Sequence, residues 1–297
     1  MKFSIILPTY NRAHLISNSI KSVLNQSFDD WELIIVDDGS TDNTKELISS
    51  FIKKDSRIKY FVQENSERSK ARNNGIKNAS GEWICFLDSD DKYHFTHLEE
   101  FKKLILKNKE NPGLYFSGLS KEMYSSDLEL YIEGSFSKIE FVLLNTIGTP
   151  RACVNKEILL NSNFNEDLSV GEDRELWTRI LKNHPLFYHK NKTFIEINHP
   201  ERSINFGAEL KSLKTIRYIF KNQKKSISNE VKKIILSNEY FNISKFYIRK
   251  KSFVNASIYL ILSIFSNFSN PQTKHKIFLL LETVKIHQKR LIKEYEK

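Results

Sequence analysis

The chain has 297 residues, 40% of them hydrophobic, which supplies a core for one large domain with an appendage or for two and excludes disorder as its main state. Its formal net charge of +10 hides an uneven split: residues 1–204 hold 27 Lys+Arg against 30 Asp+Glu, net −3, while residues 205–297 hold 19 against 6, net +13. Cys85 and Cys153 are too few for a disulfide framework, which fits a reducing compartment.

In chain order, residues 3–7 read as a short strand that is too brief for a signal core and is stopped by Pro8, so no cleavable leader is expected. A helix follows over 15–24, with Ile16, Ile20 and Val23 at helical spacing, and then the apolar run 33–36. Next come a helix over 44–51, with Ser40, Thr41 and Asp42 placed to cap it, a strand over 58–62, a helix over 70–78 and a strand over 83–87. This alternation predicts an α/β fold with a mostly parallel sheet and helices on both faces. From 114 to 197 the pattern loosens into strands at 114–116, 152–155, 186–188 and 193–197 and a helix over 172–183, read as the second half of the same domain. Beyond 205 only helical periodicity rich in Lys, Ile, Leu and Phe remains, broken at Asn270-Pro271, so a domain over 1–204 is expected to precede a basic helical region over 205–297. Helices within 240–268 are expected to pair as a hairpin. The longest apolar stretch, 256–268, is interrupted by Ser257, Ser263, Ser266 and Asn267 and falls short of the ~20 residues a membrane span needs.

Two apolar runs end in aspartates: residues 33–36 run into Asp37-Asp38-Gly39-Ser40, and residues 83–87 into Asp88-Ser89-Asp90-Asp91. Acids at the carboxyl ends of parallel strands face the crevice where such sheets bind ligands. Asp88 and Asp90 suit Mg²⁺ or Mn²⁺ carrying a diphosphate, although an Asp-rich turn also explains the triplet. The first cluster equally fits a helix-capping turn. Gly171-Glu172-Asp173 opens an amphipathic helix, where the helix dipole alone favours acids and where a general base facing a pocket would also sit. Arg68, Lys70 and Arg72 could neutralise phosphate or form a solvated helix start. His199 reads as a metal or phosphate ligand or as a structural histidine after a strand.

The order and spacing of Ile5-Ile6-Leu7-Pro8-Thr9-Tyr10-Asn11-Arg12, the two aspartate clusters, Ala71-Arg72-Asn73-Asn74-Gly75, Ser80-Gly81-Glu82-Trp83 and Gly171-Glu172-Asp173 resemble glycosyltransferase family 2 over about residues 1–204. The resemblance implies a GT-A (Rossmann-like) fold, a nucleotide-sugar donor, a UDP-sugar in our reading, and inversion at the anomeric carbon. Carried onto matching positions, Pro8, Tyr10 and Asp38 hold the base with Tyr10 stacking on it, Asp88 faces the ribose beside Ser89, Asp90 takes the metal, and Asp173 takes the acceptor proton. Arg72 is placed with the donor ligands. The family often has glycines before its Ala-Arg-Asn segment where this chain reads Asn65-Ser66-Glu67-Arg68-Ser69-Lys70. Many members carry an acid at the middle of the segment that reads Phe164-Asn165-Glu166 here, and the Gln-x-x-Arg-Trp segment of processive synthases is missing, so single-sugar addition is expected.

The expected function is therefore a metal-dependent transferase adding one sugar to a lipid-linked or oligosaccharide acceptor in surface-polysaccharide assembly. The competing expectation is a non-catalytic binding or scaffold protein on the same fold. Basic amphipathic helices over 205–297 suit an anionic membrane surface, here the cytoplasmic face of the bacterial inner membrane, or else a solvated face and a homodimer. The basic charge lies away from the motifs and no nucleic-acid module is present, so nucleic acid is not an expected partner.

Overall fold

A strand covered on both faces needs apolar residues at successive positions, and Leu33, Ile34, Ile35 and Val36 are all fully buried. The computed structural model describes residues 1–118, 136–145, 147–197 and 207–295. In it that run lies within a strand flanked by parallel neighbours, and the first half of the chain alternates β1 (Phe3–Thr9), α1 (Ile16–Leu24), β2 (Trp31–Asp37), α2 (Thr44–Ile52), β3 (Ile58–Val62), α3 (Glu67–Asn78) and β4 (Trp83–Phe86). The second half adds β5 (Lys92–Tyr93), α4 (His97–Lys107), β6 (Leu114–Phe116), α5 (Lys138–Asn145), β7 (Ala152–Asn155), α6 (Lys156–Asn161), α7 (Glu172–Ile180), β8 (Leu186–Tyr188) and β9 (Phe194–Ile195).

The main sheet runs β3-β2-β1-β4-β7-β6-β8 among the described residues. β1 pairs in parallel with β2, Phe3 opposite Trp31, and with β4, Phe3 opposite Trp83; β7 is antiparallel to both β4 and β6. The chain thus leaves β1 on one side to build β2 and β3 and returns on the other side with β4. That reversal opens a crevice beyond the carboxyl ends of β1, β2 and β4, where the aspartate clusters begin. A two-residue ladder between β5 and β9 forms a second small sheet.

Beneath the crevice the core is aromatic and aliphatic, with Trp83 edge-on to Tyr115 at 5.2 Å and Cys85 opposite Cys153 as free, buried thiols. Near the start of β2, the buried Glu32 carboxylate accepts from Ser4 Oγ (2.5 Å) and from Ser80 N (2.5 Å) and meets Lys59 Nζ at 2.6 Å. Burial alone would raise its pKa, but the bonds from Lys59, Ser4 and Ser80 hold it down to about 2. The α2 cap differs from expectation: Asn43 occupies the cap position, and Asp42 reaches in from one residue earlier to accept from Thr44 N at 3.1 Å.

The chain divides into two compact units, Met1–Ser203 and Ile204–Lys297. The second is helical throughout its described residues: α8 (Ala208–Asn222), α9 (Asn229–Arg249), α10 (Phe253–Ser266) and α11 (Thr273–Tyr295). Ser228 caps α9 by accepting from Val231 N. α9 and α10 pack as the expected hairpin across a three-residue turn, with Ser237 Oγ donating to Ser263 O and Ser263 Oγ to Ser237 O. No helix among the described residues is long and apolar enough to cross a membrane.

Candidate active site

The first wall of the crevice is built where β1 and β2 end. Asp38 N donates to Thr9 O at 2.9 Å, joining the two ends, and Asn11 ties the loops together by donating from its backbone to Ser40 Oγ while its Oδ1 accepts from Thr41 N. The adjacent aspartates have different roles. Asp37 turns inward, accepting from Ser40 N (2.8 Å) and Tyr60 OH (2.6 Å). Asp38 accepts from Gln63 Nε2 (2.8 Å) and Ser66 N (2.9 Å), both through Oδ1. Gly39, with φ +83°, makes the turn, since a Cβ there would sit 3.1 Å from Asn65 N in a backbone region side chains resist. Tyr10, directly beyond β1, is 46% exposed.

α3 links this wall to the rest. Its sequence lacks an apolar stripe, yet Ser69, Ala71, Arg72, Asn73, Gly75 and Ile76 are buried. It lies so close to β1 that a Cβ on Gly75 would fall 2.4 Å from Ile6 Cγ2. Arg72 sends one guanidinium nitrogen to Asp88 Oδ1 at 3.0 Å and the other to Glu172 Oε1 at 2.9 Å. Burial alone would lower the Arg72 pKa, and the charges of Asp88 and Glu172 more than reverse that. One turn earlier, Arg68 approaches the same Glu172 oxygen at 3.8 Å. Asn73 donates to Phe164 O and Glu166 Oε1 and accepts from Phe164 N, so the acid of that segment is held at its third position.

α7 brings the last acid. Gly171, at φ +76°, turns the chain into the helix, whose first turn is Glu172-Asp173-Arg174-Glu175. The helix is anchored below by Trp177, which donates from Nε1 to Ile147 O at 2.8 Å and packs with Phe86 of β4 and with Phe164. With Trp177 fixed, Asp173 is held one turn above it. Its pKa is raised to about 6, first by burial and then by the neighbouring Glu172 charge. Through Arg72, the start of α7 is joined to the carboxyl end of β4, so Asp88 and the residue beside Asp173 share one guanidinium.

Asp88 is about a third exposed, Asp90 partly exposed and Ser89 buried. Asp91 faces inward, accepting from Ile197 N. No group of three or more metal-ligating side chains converges among the described residues. Two carboxylates one residue apart at a strand end, Asp88 and Asp90, are the oxygen-donor type that suits a hard cation drawing most of its oxygens from a diphosphate and water, as Mg²⁺ and Mn²⁺ do. His199 lies outside the described residues. Sequence reasoning assigned no role to Glu172, Asn11 or Gln63; the one available signal was Glu172 beside Asp173, which the helix dipole already accounted for.

A profile for the family described as Glycosyl transferase family 2 matches residues 4–122. A Campylobacter jejuni protein named GalNAc(5)-diNAcBac-PP-undecaprenol beta-1,3-glucosyltransferase is 35% identical over 199 residues, 64% of this chain and 62% of its own length. This chain therefore spans less than two thirds of that relative. The Escherichia coli UDP-Glc:alpha-D-GlcNAc-diphosphoundecaprenol beta-1,3-glucosyltransferase WfgD is 38% identical over 184 residues, 60% of this chain and 69% of its own. The crystal structure of S. aureus TarS 1-349 with UDP matches at TM-score 0.65 and 20% identity, covering 95% of this chain and 89% of that one. The mannosyltransferase PcManGT of Pyrobaculum calidifontis, solved with GDP-Man and Mn²⁺, matches at 0.62 and 16%, covering 96% and 80%. At these identities the two structures share the GT-A fold with this chain.

Proposed function

Because this chain belongs to glycosyltransferase family 2, we propose that it moves a single sugar from a nucleotide-sugar, a UDP-sugar, to a lipid-linked glycan acceptor in surface-polysaccharide assembly, with inversion at the anomeric carbon. The observation that carries this reading is the Arg72 bridge between Asp88 and Glu172, which gathers a strand-end acid and a helix-start acid around one crevice. UDP and the diphospho-undecaprenol acceptor are drawn from the names of the E. coli and Campylobacter relatives.

In this reading the base lies against Pro8 and Tyr10 and donates to Asp38 Oδ2, while the ribose meets Asp88 and Ser89. Asp90 is the carboxylate that would hold Mn²⁺ or Mg²⁺, which supplies positive charge for the leaving diphosphate. Asp173 accepts the proton of the acceptor hydroxyl as that oxygen bonds to the anomeric carbon and the bond to the diphosphate breaks. With a pKa of about 6 it is mostly ionised at pH 7 and still basic enough to help. Arg72 acts as a positioning residue here: its charge is matched by Asp88 and Glu172, so it holds them in place and leaves the phosphates to other groups. The protein works at the cytoplasmic face of the membrane, which the unpaired Cys85 and Cys153 support.

Transfer assayed with a panel of UDP-sugars, a diphospho-undecaprenol-linked acceptor and Mn²⁺, then with chelator, tests the reading. Asp173→Asn lowers turnover by about 10²–10⁴ while donor affinity stays within about twofold. Unchanged turnover in that variant overturns the assignment, and transfer by no UDP-sugar leaves the scaffold reading in its place.

A further inference from the structure

α10 carries no Asp, Glu, Lys, Arg or His, and its inward positions Ala256, Leu260, Ser263 and Ile264 are buried. Its outward side is apolar as well: Ile258, Ile261 and Phe265 recur at helical spacing and are exposed. Where α10 gives way to α11, Phe265 and Phe268 are 81% and 70% exposed, and α11 adds exposed Phe278 and Leu281. Lysines border this surface. Lys250 and Lys251 precede α10, and Lys274 and Lys285, the latter paired with Glu282, stand one turn to either side of Phe278 and Leu281. Exposed apolar side chains recurring along successive helices mark an interaction site, and phenylalanines with lysines on the same elements match the boundary between acyl chains and headgroups.

We propose that the α10–α11 hairpin inserts into an anionic lipid leaflet, with Phe265 and Phe268 entering the acyl region and the bordering lysines at the phosphates. This deepens the function proposed above and rests on it for the acceptor's place in a membrane. Charge separates a bilayer from a second copy of the chain. Residues 205–297 carry net +13, so a self-interface sets like charges together, whereas anionic lipid neutralises them. Insertion also differs from docking by charge alone, because its apolar part survives salt.

The test uses the full chain with vesicles of phosphatidylglycerol and phosphatidylethanolamine, some carrying brominated acyl chains. In F265W the introduced tryptophan is quenched by the bromines, and F265S/F268S lowers vesicle partition at least tenfold in 0.5 M NaCl with its thermal melt unchanged. An unquenched tryptophan on vesicle-bound protein overturns insertion in favour of surface charge. Loss of a dimer in F265S/F268S with lipid binding intact overturns it in favour of self-association. Donor turnover in detergent solution is read in parallel: F265S/F268S retains it whether or not the hairpin inserts, so a failed insertion leaves the catalytic reading standing and a failed turnover does not mimic it.

Discussion

The two units break the usual burial pattern in opposite directions. In Met1–Ser203 a polar helix is buried, with Arg72, Asn73 and Ser69 of α3 turned into the fold; in Ile204–Lys297 an apolar surface is left in water, with Phe265 and Phe268 outermost. A buried guanidinium is tolerated only where carboxylates and hydrogen bonds compensate it, and an exposed phenylalanine ridge persists only where something else covers it. The first unit therefore holds charge inside, where Arg72 joins two acids, and the second leaves apolar side chains outside.

Breaking the inside half of that contrast gives the largest effect. Arg72→Ala removes the guanidinium that bridges Asp88 and Glu172 and leaves only Arg68, 3.8 Å from Glu172, with an expected loss of about 3–5 kcal/mol in urea denaturation. Arg72→Lys retains the charge but cannot reach both acids as a fork, so it folds better and still loses turnover. A smaller effect lies away from the crevice at Glu32. Its folded pKa of about 2 is below the unfolded value, ~4.3, so its contribution is fully present above that value and lost as pH falls toward 2. Glu32→Gln is expected to cost about 2–3 kcal/mol at pH 7, and the difference from wild type should close in melts near pH 2. A gap that stays constant with pH would mean the carboxylate charge is not what holds that corner.

Legibility in the sequence followed the same division. The uninterrupted run of Leu33, Ile34, Ile35 and Val36 announced a doubly covered strand, and the switch from apolar run to aspartates marked the crevice side of the sheet. α3 was read only from residue 70, because Glu67, Arg68 and Ser69 carry no apolar signal; the helix is stabilised by what its polar side chains bind, which no local pattern reports. The two acids that Arg72 bonds were illegible for the same reason, since they lie 16 and 100 residues away in sequence. β5 is two residues long, too short for alternation to register, whereas β9 falls inside the strand expected over 193–197. Which side of α10 meets protein is not legible, because apolar residues on both sides of a helix give no cue.

The central claim is that Arg72, Glu172 and Asp173 act with Asp88 as one electrostatic unit, and the turnover number as a function of pH tests it most directly. In wild type, activity should fall on the acid side with a midpoint near 6. In Glu172→Gln, which removes the like charge beside Asp173, the midpoint should move down by up to about one unit. A wild-type limb at the ordinary carboxylate value, or an identical midpoint in the two proteins, would contradict the account.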